Sequence, residues 1–142
     1  MRWALPGLHD IVNVGRGVIP MADVICTCTS SAVALFDGLL VPDGAHLNLV
    51  GVYRPDRTEV DSALMNRATI VVDDHAAARA EAGDIAMTDA WHRVVGDLHD
   101  VVDGRVTRSS AREITVFKSV GLAVEDLAVA RLAAVRAGLL AR

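Results

Sequence analysis

Short apolar runs separated by helical stretches limit this chain more than any other feature of its sequence. Val24-Ile25-Cys26-Thr27-Cys28-Thr29 is one such run, His46-Leu47-Asn48-Leu49-Val50-Gly51 a second and Thr69-Ile70-Val71-Val72-Asp73 a third. Each is too short for a packed helix, rich in β-branched residues and bounded by turn formers such as Pro42-Asp43-Gly44, which is the signature of a strand. None alternates cleanly between apolar and polar. That pattern predicts strands covered on both faces, as in a parallel sheet. Ile114-Thr115-Val116-Phe117 reads as one more strand, followed by a polar turn at Lys118-Ser119.

The stretches between them carry helix signals. Thr58-Glu59-Val60-Asp61 resembles a capping box and sets Val60 and Leu64 on one face. Asp74 can cap a helix over Ala76–Ala82, with Gly83 placed to end it. Gly96–Val102 is a shorter candidate, closed by Asp103-Gly104. The longest helix is expected from Leu122 to Leu140, where Ala128, Leu132, Val135 and Leu139 form an apolar stripe. Glu125 and Asp126 near its start, and Arg136 and Arg142 near its end, suit the helix dipole. Strand and helix alternate, so the expected fold class is α/β with a parallel sheet. Residues 1–17 give no assignable element, and Gly15-Arg16-Gly17-Val18-Ile19-Pro20 reads as a coincidental turn.

Composition narrows the classes of function. With 142 residues the chain suits one domain or part of a larger one, and 52% hydrophobic residues exclude disorder. A formal net charge of -4 offers no electrostatic footprint for nucleic acid. No uncharged apolar stretch is long enough to span a bilayer, and the first residues lack the apolar core of a secretory signal, so a cytoplasmic location is expected. Cys26 and Cys28 are i and i+2 on a strand, a spacing that strains a disulfide, and they lack further ligands for a metal. They are expected as buried thiols. His9, His46, His75, His92 and His99 show no ligand spacing, so no metal site is expected. Asp73-Asp74 is explained as a strand end and a helix cap, and Trp91 as a packing residue.

Parallel α/β sheets bind ligands outside the carboxyl ends of their strands. Here those ends are polar: Thr27, Thr29, Ser30 and Ser31 after the first, Gly51 with the loop Val52-Tyr53-Arg54-Pro55-Asp56-Arg57 after the second, and Lys118, Ser119 and Gly121 after the last. Small hydroxyls and glycines let a phosphate or ring approach the backbone, while Arg54, Arg57 and Lys118 offer charge for a carboxylate or phosphate. Taken singly, each is ordinary turn chemistry or a solvated charge. Their joint placement at successive strand ends makes a candidate site.

Four ordered blocks then carry a resemblance: Ala22-Asp23-Val24-Ile25-Cys26-Thr27-Cys28-Thr29-Ser30-Ser31, Gly44-Ala45-His46-Leu47-Asn48-Leu49-Val50-Gly51, Arg54-Pro55-Asp56 with Glu59-Val60-Asp61, and Phe117 through Asp126. From about Ala22 onward the chain resembles the ornithine cyclodeaminase/mu-crystallin family. That resemblance implies NAD or NADP as cofactor, a small imino or amino acid as substrate, and a homodimer or other homo-oligomer. It implies the later half of a Rossmann domain over 22–108, a segment over 109–142 returning to a substrate and dimerisation domain, and an unassigned stretch over 1–21. By the same resemblance Thr27, Thr29, Leu47, Asn48, Leu49, Val50, Arg57 and Ser119 lie on the cofactor. Arg54, Val120 and Gly121 lie near substrate, and Lys118 is a candidate electrostatic aid.

Two departures shape the expected chemistry. Tyr53 stands where the cyclodeaminases carry a catalytic Asp, and a phenol with a pKa near 10 is a poor general base at neutral pH. The Arg-Pro-Asp loop resembles the ketimine reductase side of the family instead. The Gly-rich turn that opens a Rossmann domain and anchors the pyrophosphate has no good match, so the chain looks like the C-terminal portion of a family member. The leading expectation is therefore an imino-acid (ketimine) reductase present as an incomplete chain. The alternatives are a non-catalytic remnant or ligand-binding protein, or an ornithine cyclodeaminase or alanine dehydrogenase.

Overall fold

The structure is a computed structural model and describes residues 16–141. His9, Gly15 and Arg142 lie outside that range. Arg16–Met21 forms a 3₁₀ segment that includes Pro20. The five strands are β1 (Val24–Thr27), β2 (His46–Leu49), β3 (Thr69–Val72), β4 (Val94–Asp97) and β5 (Thr115–Lys118). The helices are α1 (Ser62–Met65), α2 (His75–Glu81), α3 (Gly83–Ala86), α4 (Leu98–Val102) and α5 (Ala123–Arg136). All strand pairs are parallel, in the order β1-β2-β5-β3-β4. The last strand in sequence is thus the central one: Phe117 lies between Asn48 of β2 and Val71 of β3. The segment over 109–142 supplies, through β5, the middle strand of the sheet.

Burial alternates along the strands. Ile25, Leu47, Leu49, Ile70, Val72 and Val116 join Leu64, Met65, Ala78 and Ile85 of α1, α2 and α3 in one core. The opposite face, with Cys26, His46, Asn48, Thr69, Val71, Thr115 and Phe117, is half-buried or exposed among the described residues. The expectation of two covered faces is corrected here. Val24, Val71 and Phe117 are apolar on the open face, and this hid the alternation from the sequence. Cys26 and Cys28 are accordingly exposed rather than buried, because β1 is an edge strand with Cys26 on its open side and Cys28 just past its end.

Local chemistry moves several boundaries. Helix α1 is capped by Asp61, whose Oδ1 accepts from Leu64 N at 2.9 Å, not by Thr58. Asp74 caps α2 as expected, accepting from Ala77 N at 2.8 Å. The candidate helix at Gly96 is instead β4 followed by α4, joined by a reciprocal cap between Asp97 and Asp100. The two β-branched residues Val94 and Val95 were too short a run to announce a strand. Helix α5 stops at Arg136, and the left-handed Gly138 (φ +74°) turns the chain away. None of its residues is buried, and the stripe of Ala128, Leu132 and Leu139 faces solvent. Trp91 packs against the core as expected, and the Arg79 guanidinium sits 4.0 Å over its ring. No helix among the described residues is long and apolar enough to cross a membrane.

Gly83 does not end α2 but opens α3, for a packing reason. A Cβ at this position would lie 2.1 Å from the Arg57 carbonyl oxygen and 2.3 Å from that of Arg54. Gly83→Ala is expected to destabilise the chain by about 1–3 kcal/mol, because backbone must shift; this outweighs a helix-propensity gain of about 0.5–1 kcal/mol. Gly17→Ala, where nothing lies within 4 Å, should leave the urea midpoint nearly unchanged. Equal midpoints for the two variants would refute the packing account.

Candidate active site at the carboxyl edge of the sheet

Parallel strands place all five carboxyl ends on one edge, and three buried carboxylates organise it. Glu59, wholly buried, lies between the ends of β1 and β2. Its Oε1 accepts from both the backbone N and the hydroxyl of Thr29 at 2.7 Å, and its Oε2 from the Thr27 hydroxyl at 2.7 Å and Gly51 N at 3.1 Å. Burying a carboxylate is tolerable only with such full satisfaction. The hydroxyls of Thr27 and Thr29, expected against a cofactor, are thus donated inward.

Asp84 lies beneath β2 and β5. Its Oδ1 accepts from Glu59 N at 2.6 Å and from the Thr58 hydroxyl at 3.0 Å. Its Oδ2 has as partner the Lys118 ammonium, 2.8 Å away, with both side chains fully buried. Lys118 Nζ also donates to the carbonyls of Leu49 and Val52, the latter across a very short contact. Lys118 is therefore neither part of a polar turn nor a solvated lysine. The expected electrostatic aid to catalysis is corrected, because the ammonium is directed into the protein.

Asp73 ends β3 and is 4% exposed. One oxygen, Oδ2, accepts from the Ser119 hydroxyl at 3.0 Å, Val120 N at 2.7 Å and Gly121 N at 3.0 Å; Oδ1 accepts from Asp74 N at 2.9 Å. Gly121 has φ +86°, a conformation that favours glycine, and this closes the turn over the carboxylate.

The remaining expected residues divide between edge and core. Val50 and Tyr53 are exposed on the edge, Tyr53 by 62%. Arg57 is half-buried and donates from Nη1 to the Ser30 carbonyl at 2.7 Å, which links the loops after β1 and β2. Arg54 is exposed and forks onto Asp56 with two bonds of 3.0 Å; its guanidinium holds the Asp56 carboxyl below the usual carboxylate range. Leu47 and Leu49 turn into the core, so only their backbone reaches the edge. Asn48 lies on the open face, donating to Cys26 Sγ at 3.5 Å and lying 3.3 Å from His46 Nε2. That face also holds a groove of about 470 Å³ lined by His46, Asn48, Val71, Leu98 and Phe117. His75, Asp97 and Asp100 cluster beside it, but the two carboxylates are spent on the cap of α4 and on Arg105.

Glu59, Asp73 and Asp84 were not singled out in sequence as organisers of this edge. The available signal was weak: Asp84 is an acidic residue inside the otherwise apolar run Ala82–Met87, while Glu59 stands among polar residues and gives no such signal. The Lys118–Asp84 pair generates a direct test. Asp84→Ala leaves a buried ammonium uncompensated and should cost about 3–5 kcal/mol, whereas Asp84→Leu combined with Lys118→Met removes both charges and should cost clearly less. Urea unfolding of both variants checks this, and a double variant as unstable as the single one would contradict it.

The chain matches the family model described as "Ornithine cyclodeaminase/mu-crystallin family" over residues 11–138. It is 41% identical over 111 residues to the ketimine reductase mu-crystallin of Mus musculus, covering 78% of this chain and 34% of that protein. It is 36% identical over 118 residues to a Delta(1)-pyrroline-2-carboxylate reductase of Colwellia psychrerythraea, covering 79% and 37%. Among solved structures, the Delta(1)-pyrroline-2-carboxylate reductase of Thermococcus litoralis in complex with NADH and L-proline superposes with a TM-score of 0.78 at 32% identity, covering 89% of this chain and 42% of that one. An archaeal alanine dehydrogenase dimer with bound NAD gives 0.71 at 34% identity, covering 78% and 36%. The chain thus spans about a third of the length of the curated relatives it matches. Its parallel sheet, its strand-end loops and the match across nearly the whole sequence make it a member of the ornithine cyclodeaminase/mu-crystallin family.

Proposed function

We propose that this chain forms the cofactor-binding part of an NAD(P)-dependent imino-acid reductase acting on a small cyclic imine. The observation that carries the reading is the carboxyl edge itself. Loops after β1, β2 and β5 are fixed by buried carboxylates, so their outer surface is preorganised for a ligand. The residues fit a dinucleotide in three respects. Arg57 keeps guanidinium donors beyond the one spent on Ser30 and can meet a phosphate. Val50 offers an exposed apolar surface for a ring. A Cβ at Gly121 would meet nothing within 4 Å, so backbone there faces open space. A bound nicotinamide would supply a hydride for the carbon of a C=N bond.

Within this reading Thr29, Val50, Arg57 and the Ser119–Gly121 turn form the contact surface, and Thr27 acts through Glu59. Of the expected site residues only Tyr53, Arg54 and Arg57 present ionisable side chains outward. None suits proton abstraction at neutral pH, so ornithine cyclodeamination is disfavoured. The protein's share in imine reduction is positioning, which needs no base from this segment. Relatives named for ketimine and pyrroline-2-carboxylate reduction support the substrate class, and a relative solved as a dimer supports a homo-oligomer.

The decisive experiment supplies the rest of a relative's length. Co-expressed with the N-terminal portion of a pyrroline-2-carboxylate reductase, the chain should oxidise NADH or NADPH when given a cyclic imino acid and release no ammonia from L-ornithine. Ammonia release at a comparable rate, or no cofactor oxidation by a soluble complex, would reject this function.

A further inference from the structure

Glu59 and Asp84 tie secondary-structure elements to one another beneath the edge; Asp73 does something different. It spends a nearly buried carboxylate on a turn that passes from the buried Ser119 to the exposed Gly121. Val120 is half-buried and Gly121 exposed, yet both of their amides and the Ser119 hydroxyl converge on a single oxygen. The Val120 side chain packs partly against the core, and the backbone amides of Val120 and Gly121 are held by the carboxylate. Charge-assisted hydrogen bonds of this kind are roughly twice as strong as neutral ones. Among the described residues no basic side chain lies within ion-pair distance of Asp73, so these donors are what compensates its burial. The turn also continues the central strand: Asp73 N donates to the Lys118 carbonyl at 3.3 Å, which locks the end of β3 to the end of β5.

Two consequences follow. The amides of Val120 and Gly121 are occupied, so they are not donors for a substrate carboxylate; the turn borders open space at the Cα face of Gly121. The height and tilt of that surface depend on one side chain that does not itself reach it.

We propose that Asp73 is a positioning residue of the carboxyl-edge site, holding the Ser119–Gly121 turn so that its outer face seats the nicotinamide half of the cofactor. This rests on the cofactor reading given above. The Thr29 and Arg57 side of the edge, where Arg57 can meet a phosphate, shares no hydrogen bond with Asp73, and this separates a positioning role from a general structural one.

The test compares NADH with ADP-ribose, which lacks the nicotinamide, by calorimetry on the complex with the N-terminal portion of a pyrroline-2-carboxylate reductase, formed by the chain or by its Asp73→Ala and Asp73→Asn variants. Asp73→Ala should weaken NADH about tenfold or more, towards the affinity of ADP-ribose, while leaving ADP-ribose affinity unchanged. Asp73→Asn, which keeps an acceptor oxygen, should recover part of the loss. Amide exchange at Val120 and Gly121 should quicken in Asp73→Ala and not at Thr29 or Gly51. Equal loss of both ligands, or unchanged NADH affinity, would overturn the positioning role. Binding of neither ligand by the complex with the unmodified chain would overturn the cofactor reading and this inference with it.

Discussion

The buried Lys118–Asp84 pair is the contact on which the site depends. It joins the end of the central strand to α3, and through Asp84 Oδ1 it reaches the backbone at Glu59. Glu59 in turn binds the ends of β1 and β2. Removing two charges from water costs several kcal/mol per ion, repaid here by the short ion pair together with carbonyl and amide partners. A well-packed apolar pair could stabilise the fold as well, but it could not hold polar loops at fixed positions through hydrogen bonds. The pair's distinctive contribution is therefore to the geometry of the edge.

That geometry requires the unusual strand order. Only because β5 inserts between β2 and β3 does Lys118 lie beside Leu49 on one side and Val72 on the other. From there its ammonium reaches the carbonyls of Leu49 and Val52, and the following turn falls onto Asp73. The sheet is thus stitched at its carboxyl edge by Lys118 of β5 and by side chains from two crossovers, Glu59 between β2 and β3 and Asp73 and Asp84 between β3 and β4, while one of its faces is left half-open. The salt bridges at Arg54–Asp56, Arg105–Asp103 and Arg112–Asp43 are exposed and contribute little by comparison.

The sequence showed the class of fold because four of the five strands were apolar runs between turn formers, and parallel order follows from alternation with helices. It missed β4, whose strand character rests on two valines before a glycine, and it placed the α1 cap three residues early, because Thr58 and Asp61 are both good capping residues. The site was legible as a place but not as a mechanism. Thr27, Thr29, Gly51 and Ser119 were recognised from strand position, and all four do stand at the edge. What they do there depends on Glu59, Asp73 and Asp84, whose partners are 8 to 48 residues away in the chain. No periodicity links such residues.

The same limit explains the errors over Lys118 and the cysteines. A lysine after a β-run reads as the start of a solvated turn, and only the position of α3, which carries Asp84, reveals that it is internal. Cysteine in an apolar run reads as core, and only the strand order reveals that β1 is an edge with one open side. In both cases the residue type was read correctly and its surroundings were not, because burial in a parallel sheet is decided by neighbours that arrive from distant parts of the chain. The consequence lies in what the edge leaves facing outward. The edge is rigid because ionisable groups are spent inward, and so the groups left facing outward are suited to holding a ligand rather than to moving its protons.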